Sequence, residues 1–268
     1  MKNPWEDINK LNRVCEIDKE YFTKNGNLEI SQIEIPEPFI GCPTAPIYIL
    51  MGSPFVSIED LKQKDLMKKI SQENAEDPPS LVRLNAIANI TNPLEEKDYP
   101  FYSISPEIKE SKSVKDQNHY NWWWRVFKSF SKEIQKELND ESEETQGNIV
   151  KAISQVFFNL ELYGYHSTET ITKVLTKKNR LPSVNYSIEF VRKAMLDKKI
   201  IIIPRAVNTW FKIIPGLDTY EKCHFAATNR EIKINKNTMS PKVYREILDL
   251  IIGKIKKMNV EPILKIPK

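Results

Sequence analysis

The chain has 268 residues, of which 28% are charged and 40% hydrophobic, with a formal net charge of +4. That balance excludes a disordered or fibrous protein and lets one large domain bury a full core. Cys15, Cys42 and Cys223 lie far apart, with no CxxC pair and no histidine at zinc-finger spacing, so inert thiols are expected rather than disulfides or a structural zinc. The basic excess permits nucleic-acid binding without demonstrating it.

Met1 to Asp7 lacks an apolar core and carries acids early, unlike a secretory signal, so a cytoplasmic address is expected. Pro36, Pro38, Pro43 and Pro46 mark residues 1–45 as an irregular lead-in on the surface of a domain spanning 46–268. Ile47-Tyr48-Ile49-Leu50-Met51 reads as the first strand, broken by Gly52-Ser53-Pro54. Ser57 then offers a helix cap, with Asp60 completing a capping box. The segment from Asn92 to Pro106 is loop-like and carries Tyr99, Phe101 and Tyr102. Trp122-Trp123-Trp124 opens a helix to about Leu138, and Asp140 to Gln146 reads as a solvated acidic connector. A helix from Asn148 feeds a second strand, Val156 to Leu162. Pro182 to Leu196 is helical, with Ile188, Val191 and Met195 on one face. Ile200 to Ile203 is the third strand, far too short to span a bilayer, and no membrane partner is expected. Phe225 to Thr228 is the fourth. Ser240 to Met258 is the last helix, with Tyr244, Ile247, Leu248, Ile251 and Ile255 on one face.

Strands alternating with helices of ten or more residues predict an α/β fold, a mainly parallel four-stranded sheet with helices on both faces. Ligands of such sheets bind at the carboxyl ends of the strands. Four polar or aromatic turns converge there: Gly52 to Phe55, Tyr163 to His166, Pro204-Arg205, and Thr228 to Arg230.

Each residue in these turns has a plain structural reading beside a functional one. Ser53 can simply close a turn before proline. Glu59 and Asp60 can serve as helix-cap partners, or one can face the site as a general base. Asn159, Glu161 and Tyr163 share one side of the second strand, which fits either a half-exposed strand or a polar wall leading to a site. Phe55, Phe101 and Tyr102 can all be core, or an exposed one of them can offer a ring on which a base would stack. Three consecutive tryptophans cannot all face inward on a helix, so at least two are expected to pack and one could meet a partner. His166 can support a leaving group, whereas His119 and His224 read as structural. Arg230, Lys233, Lys236 and Lys242 form either a solvated basic face or a phosphate path.

In order, these motifs resemble the uracil-DNA glycosylase superfamily. Met51-Gly52-Ser53-Pro54-Phe55 is similar to its first turn, G-x-N-P-G or G-Q-D-P-Y. Asn229-Arg230 is similar to the His or Asn that leads into its minor-groove wedge, and Pro204 to Trp210 to the turn between. A less studied glycosylase-like branch is closer. Its motifs look like Tyr99-Pro100-Phe101-Tyr102, Trp123-Trp124, Tyr165-His166-Ser167, Leu181-Pro182-Ser183, and Arg205 with Trp210. The match runs from about Pro46 to Ile252, each motif weak alone and their succession carrying the likeness.

The resemblance implies a three-layer αβα fold and a base-flipping DNA glycosylase that hydrolyses an N-glycosidic bond without metal or other cofactor. It places Ser53, Asp60, Glu161, His166 and Asn229 as catalytic candidates. Phe55, Phe101, Tyr102, Asn159 and Tyr163 would hold the base, and Arg205, Arg230, Lys233, Lys236 and Lys242 the DNA. Ser53 departs from the family's Asn or Asp, so Glu161 or Asp60 would have to supply the missing carboxylate. A bulkier modified base, such as those of phage genomes, fits the altered turn at least as well as uracil. A monomer in DNA repair or phage defence is expected. The alternatives are a catalytically silent nucleic-acid- or nucleotide-binding module of the same fold, and a protein-interaction domain.

Overall fold

The computed structural model describes residues 2–24, 34–54, 80–166, 180–225 and 234–264. Phe55, the capping pair Ser57 and Asp60, residues 226–228 of the last expected strand, and Asn229, Arg230 and Lys233 lie outside them.

Two apolar runs and one run carrying Asn159 and Glu161 become strands in which every residue is buried: β2 (Ile47–Met51), β4 (Ile200–Ile203) and β3 (Phe157–Glu161). Such runs belong inside a parallel sheet, covered on both faces. β2 pairs in parallel with β3 and with β4, and β4 in parallel with β5 (Cys223–Phe225). Among the described residues the sheet has five strands rather than four: with β1 (Phe39–Ile40) the order is β1-β3-β2-β4-β5. The added strand, β1, runs antiparallel to β3 and comes from the expected lead-in.

That lead-in is corrected in two further ways. It contains a helix, α1 (Glu16–Lys24), and much of it is interior: Trp5, Ile8, Cys15, Ile35, Glu37 and Phe39 are all buried. The chain docks tightly here, since a Cβ on Gly164 would sit 2.8 Å from the Trp5 ring and 2.9 Å from Pro38. Asp18 ties the segment down. It accepts from Tyr165 Oη at 2.9 Å, Cys15 Sγ at 3.0 Å and the Ser183 backbone at 3.0 Å.

Between β2 and β3 come α2 (Leu81–Thr91), a 3₁₀ turn (Tyr102–Ile104), α3 (Pro106–Glu110), α4 (Val114–Leu138) and α5 (Glu143–Val156). The tryptophan helix therefore starts well before Trp122, where Ser113 caps it. The acidic stretch is only partly a connector. Ser142 accepts from the Thr145 backbone, and Glu143 and Glu144 occupy the first turn of α5, where the helix dipole favours acids. After β3 follow α6 (Val184–Leu196), α7 (Val207–Ile213) and α8 (Pro241–Leu264).

Adjacent residues of β3 point to opposite faces, and each face meets a different helix. Phe157 packs on Phe127 of α4 with ring centroids 5.0 Å apart, whereas Phe158 packs on Phe190 of α6 at 5.7 Å. The fold is α/β with a mixed sheet, compatible with three layers. Among the described residues no helix is long and apolar enough to cross a membrane.

Candidate functional site

By the period of two, Phe157, Asn159 and Glu161 share the α4 face of the sheet. At the amino end of β3 the helix answers with Phe127 and Phe130. At the carboxyl end the same helical stripe, three or four residues apart, supplies His119, Trp122 and Trp123. Aromatic packing gives way there to a cavity of 280 Å³, just below the roughly 300–1,000 Å³ typical of small-molecule pockets. Glu37, Ile40, Met51, Ser53, Pro54, Asn159, Glu161, His166 and Arg205 complete its walls. Strand order reverses at β2, and the cavity collects the ends of β2, β3 and β4 at this switch point.

The backbone around the site is pinned. Glu161 N donates to Pro38 O at 2.8 Å, and Ser187 Oγ donates to Glu161 O at 2.9 Å. Trp210 Nε1 donates to Met51 O at 2.9 Å, which fixes the end of β2 against α7.

Two polar side chains form the floor. Asn159 is 1% and Glu161 5% exposed, and Asn159 Nδ2 donates to Glu161 Oε1 at 3.1 Å. Glu161 Oε2 and Asn159 Oδ1 have no hydrogen-bond partner among the described residues. Buried polar atoms are nearly always paired, so two adjacent exceptions in a cavity mark a place for a ligand's own polar groups. Burial pushes the Glu161 pKa up to about 8 against the pull of the Asn159 bond, with Glu37 adding repulsion and Arg205 opposing it. At neutral pH Glu161 is largely a carboxylic acid.

Glu37 is the second carboxyl group of the cavity. It accepts from Tyr102 Oη at 3.2 Å, and His166 Nε2 lies 3.7 Å away, itself 3.1 Å from the Ile35 carbonyl oxygen. His119 Nε2 is 2.9 Å from Ser103 Oγ, and its ring lies parallel to that of Tyr102. Burial lowers the His119 pKa despite the attraction of Glu37, which favours a neutral imidazole.

Of the residues singled out from sequence, Ser53, Asn159, Glu161, His166 and Arg205 meet in this one cavity. Arg205, assigned to DNA, stands exposed among its walls. Phe101 and Tyr102 are corrected. Phe101 is 0% exposed, edge-on to Trp123 and Phe127, so no base can stack on it. Tyr102 is buried and serves Glu37 instead. Tyr163 is also corrected: it is buried against Tyr165, away from the cavity walls. Lys236 and Lys242 are exposed, on the turn before α8 and in its first turn, and do not line the cavity.

Glu37 and Ile40, expected in a surface lead-in, His119, expected to be structural, and Trp122 and Trp123, expected to pack or meet a partner, are wall residues that the sequence did not place at the site. Glu37 carried a signal, a lone acid held between Pro36 and Pro38 in an apolar segment. His119, Trp122 and Trp123 carried another, since their spacing puts them on one helical face. All three tryptophans pack at least partly, Trp123 buried and its two neighbours half-buried. Among the described residues no three His, Cys, Asp or Glu side chains group as a metal site would require. No protein-family model, no curated protein and no solved structure matches this chain.

Proposed function

We propose that this chain is a DNA glycosylase-like enzyme, a divergent relative of the uracil-DNA glycosylase superfamily, that takes a flipped base into the cavity and hydrolyses its N-glycosidic bond. The observation that carries this reading is the buried Asn159–Glu161 pair, with two unpartnered polar atoms on a cavity at the carboxyl ends of parallel strands. A nucleobase needs a polar edge reader and an aromatic wall. Asn159 and Glu161 offer the first, Trp122 and Trp123 the second.

The two carboxyl groups suit different steps because their surroundings differ. Glu161, kept protonated near neutral pH, can give a proton to the departing base as the bond from C1′ breaks. Glu37, held by Tyr102 and near His166, is the carboxylate available to the positive charge developing at C1′. Ser53 occupies the turn where the superfamily has an amide or carboxylate, so a modified base is the favoured substrate, in repair or in defence against phage.

The test is to incubate the protein with single- and double-stranded DNAs carrying modified bases and then to reveal abasic sites with alkali. One DNA of the panel should be cut, and Glu161→Gln should slow single-turnover cleavage roughly 10²–10⁴-fold with DNA affinity nearly intact. Binding without any alkali-labile product would favour the silent module, which the uncharged Ser53 also fits.

A further inference from the structure

The two unpartnered atoms also specify which edge of a base the cavity accepts, an inference resting on the nucleobase reading above. Asn159 directs its amide nitrogen to Glu161 Oε1, which leaves Oδ1 as its free acceptor. With Oε1 already accepting, the acid form of Glu161 carries its proton on Oε2. The pair therefore holds a donor beside an acceptor, at positions two apart on one strand and on side chains that line the cavity. We propose that Asn159 and Glu161 read the amidine edge of an amino-bearing base, whose ring nitrogen accepts from Glu161 Oε2–H while its exocyclic amino group donates to Asn159 Oδ1.

Cytosine and adenine present that edge. A ring nitrogen is also far more basic than a carbonyl oxygen, so it is the better partner for an acid that must share or give up its proton. Once the sugar fixes the direction of the ring, uracil and thymine present the opposite order at the same two positions, N3–H and then O4. Turning the Asn159 amide over, with the Glu161 proton on Oε1, would reverse the floor and favour uracil. The two arrangements thus predict opposite preferences.

The edge reading depends on pH through Glu161. Among the described residues the charged or titratable groups sharing its cavity are Glu37, Arg205, His119 and His166. Glu37 helps to keep the proton on and Arg205 helps to remove it. Above pH 8 or so the donor becomes an anion, the ring nitrogen loses its partner, and preference for the amidine edge fades.

The experiment uses the full chain and three single-stranded oligonucleotides identical except at one position. That position carries a cleavage-resistant 2′-fluoroarabino cytidine, the matching uridine, or an abasic analogue, and affinity is read by fluorescence anisotropy between pH 6 and about 8.5, below the ionisation of the uridine N3–H. At pH 6 to 7 the cytidine strand should bind roughly tenfold or more tighter than the uridine strand. The difference should collapse as pH rises through about 8. Glu161→Gln places an amide donor where Oε2–H stood, so it should keep the cytidine preference and lose its pH dependence. Equal affinities for the two bases, a uridine preference, or the same pH response in Glu161→Gln would overturn the edge assignment alone. If neither base binds better than the abasic analogue, the nucleobase reading falls and this inference with it.

Discussion

Asp116 and Glu161 are both buried acids, and they show opposite uses of a carboxyl group. Asp116 accepts from Ser80 Oγ and Ser111 Oγ, each at 2.7 Å, and from the backbone of Leu81 at 3.0 Å and Val82 at 3.1 Å. Burial opposes its ionisation, but those donors outweigh it and hold the pKa below the usual range, so the charge anchors the start of α2. Among the described residues Glu161 has one side-chain donor and no partner for Oε2, and its pKa rises to about 8. In the unfolded chain Glu161 ionises near pH 4.3, so between that value and about 8 the folded state alone keeps the proton. The unfolded state then binds fewer protons, and stability falls as pH rises through the window. Glu161→Gln should therefore be more stable than the wild type at pH 7.5, by roughly 2–4 kcal/mol, and nearly equal to it at pH 4. Urea denaturation at the two pH values measures this. A residue that costs stability where it stands is one retained for a site, and equal stability at both pH values would remove that argument.

β1 is the smallest element, yet it positions the second carboxyl group. Its two residues lie opposite Leu160 and Asn159, and the preceding Pro38 and Glu37 bond to Glu161 N and Gly164 O. Asn89 on α2 clamps the strand's end, accepting from Gly41 N at 3.1 Å and donating to Gly41 O at 2.9 Å. Gly41 has φ +108°, and a Cβ there would lie 2.8 Å from the Phe157 carbonyl oxygen, a backbone atom with little freedom to move. Gly41→Ala should cost about 2–4 kcal/mol of stability by urea denaturation and, on the proposed activity, should slow single-turnover cleavage by displacing Glu37. A variant as stable as the wild type would mean that this end of β1 is free to shift. The same element shows what a sequence conceals. The cores of β2 and β4 were legible because four or five consecutive apolar residues buried on both faces leave a continuous signal, and β3 because Phe157, Phe158 and Leu160 surround its two polar positions. Two residues between a proline and a glycine have no period, so nothing in the sequence separates β1 from a surface lead-in. In α2 the buried Asn89 interrupts the apolar stripe, and in α5 the acids of the first turn resemble a solvated run.

At the scale of the whole molecule, a parallel sheet delivers the ends of separate strands to one edge, which is why Ser53, Asn159, Glu161, His166 and Arg205 could be grouped from sequence. The aromatic wall could not be placed that way. It depends on the register of α4 against β3, and on loop aromatics such as Phe101 turning inward, both set by packing. Arg205 joins the two halves of the proposed activity, because it is exposed among the cavity walls and its charge is felt by Glu161. Arg205→Ala should therefore have two linked effects. Removing a cation that favours the ionised carboxylate should raise the Glu161 pKa further, so the cytidine preference should persist to higher pH than in the wild type. Removing one phosphate contact should weaken DNA binding alike for every sequence and flatten the plot of log K against log salt by about 0.7–0.9. The first effect reports the field inside the cavity and the second the path of the backbone outside it. An unchanged salt slope with a shifted pH profile would leave the base pocket in place and route the DNA over other cations, with Lys236 and Lys242 the next to replace. An unchanged pH profile would mean that solvent screens Arg205 from the floor of the cavity, leaving Glu37 as the main charged neighbour governing the Glu161 proton.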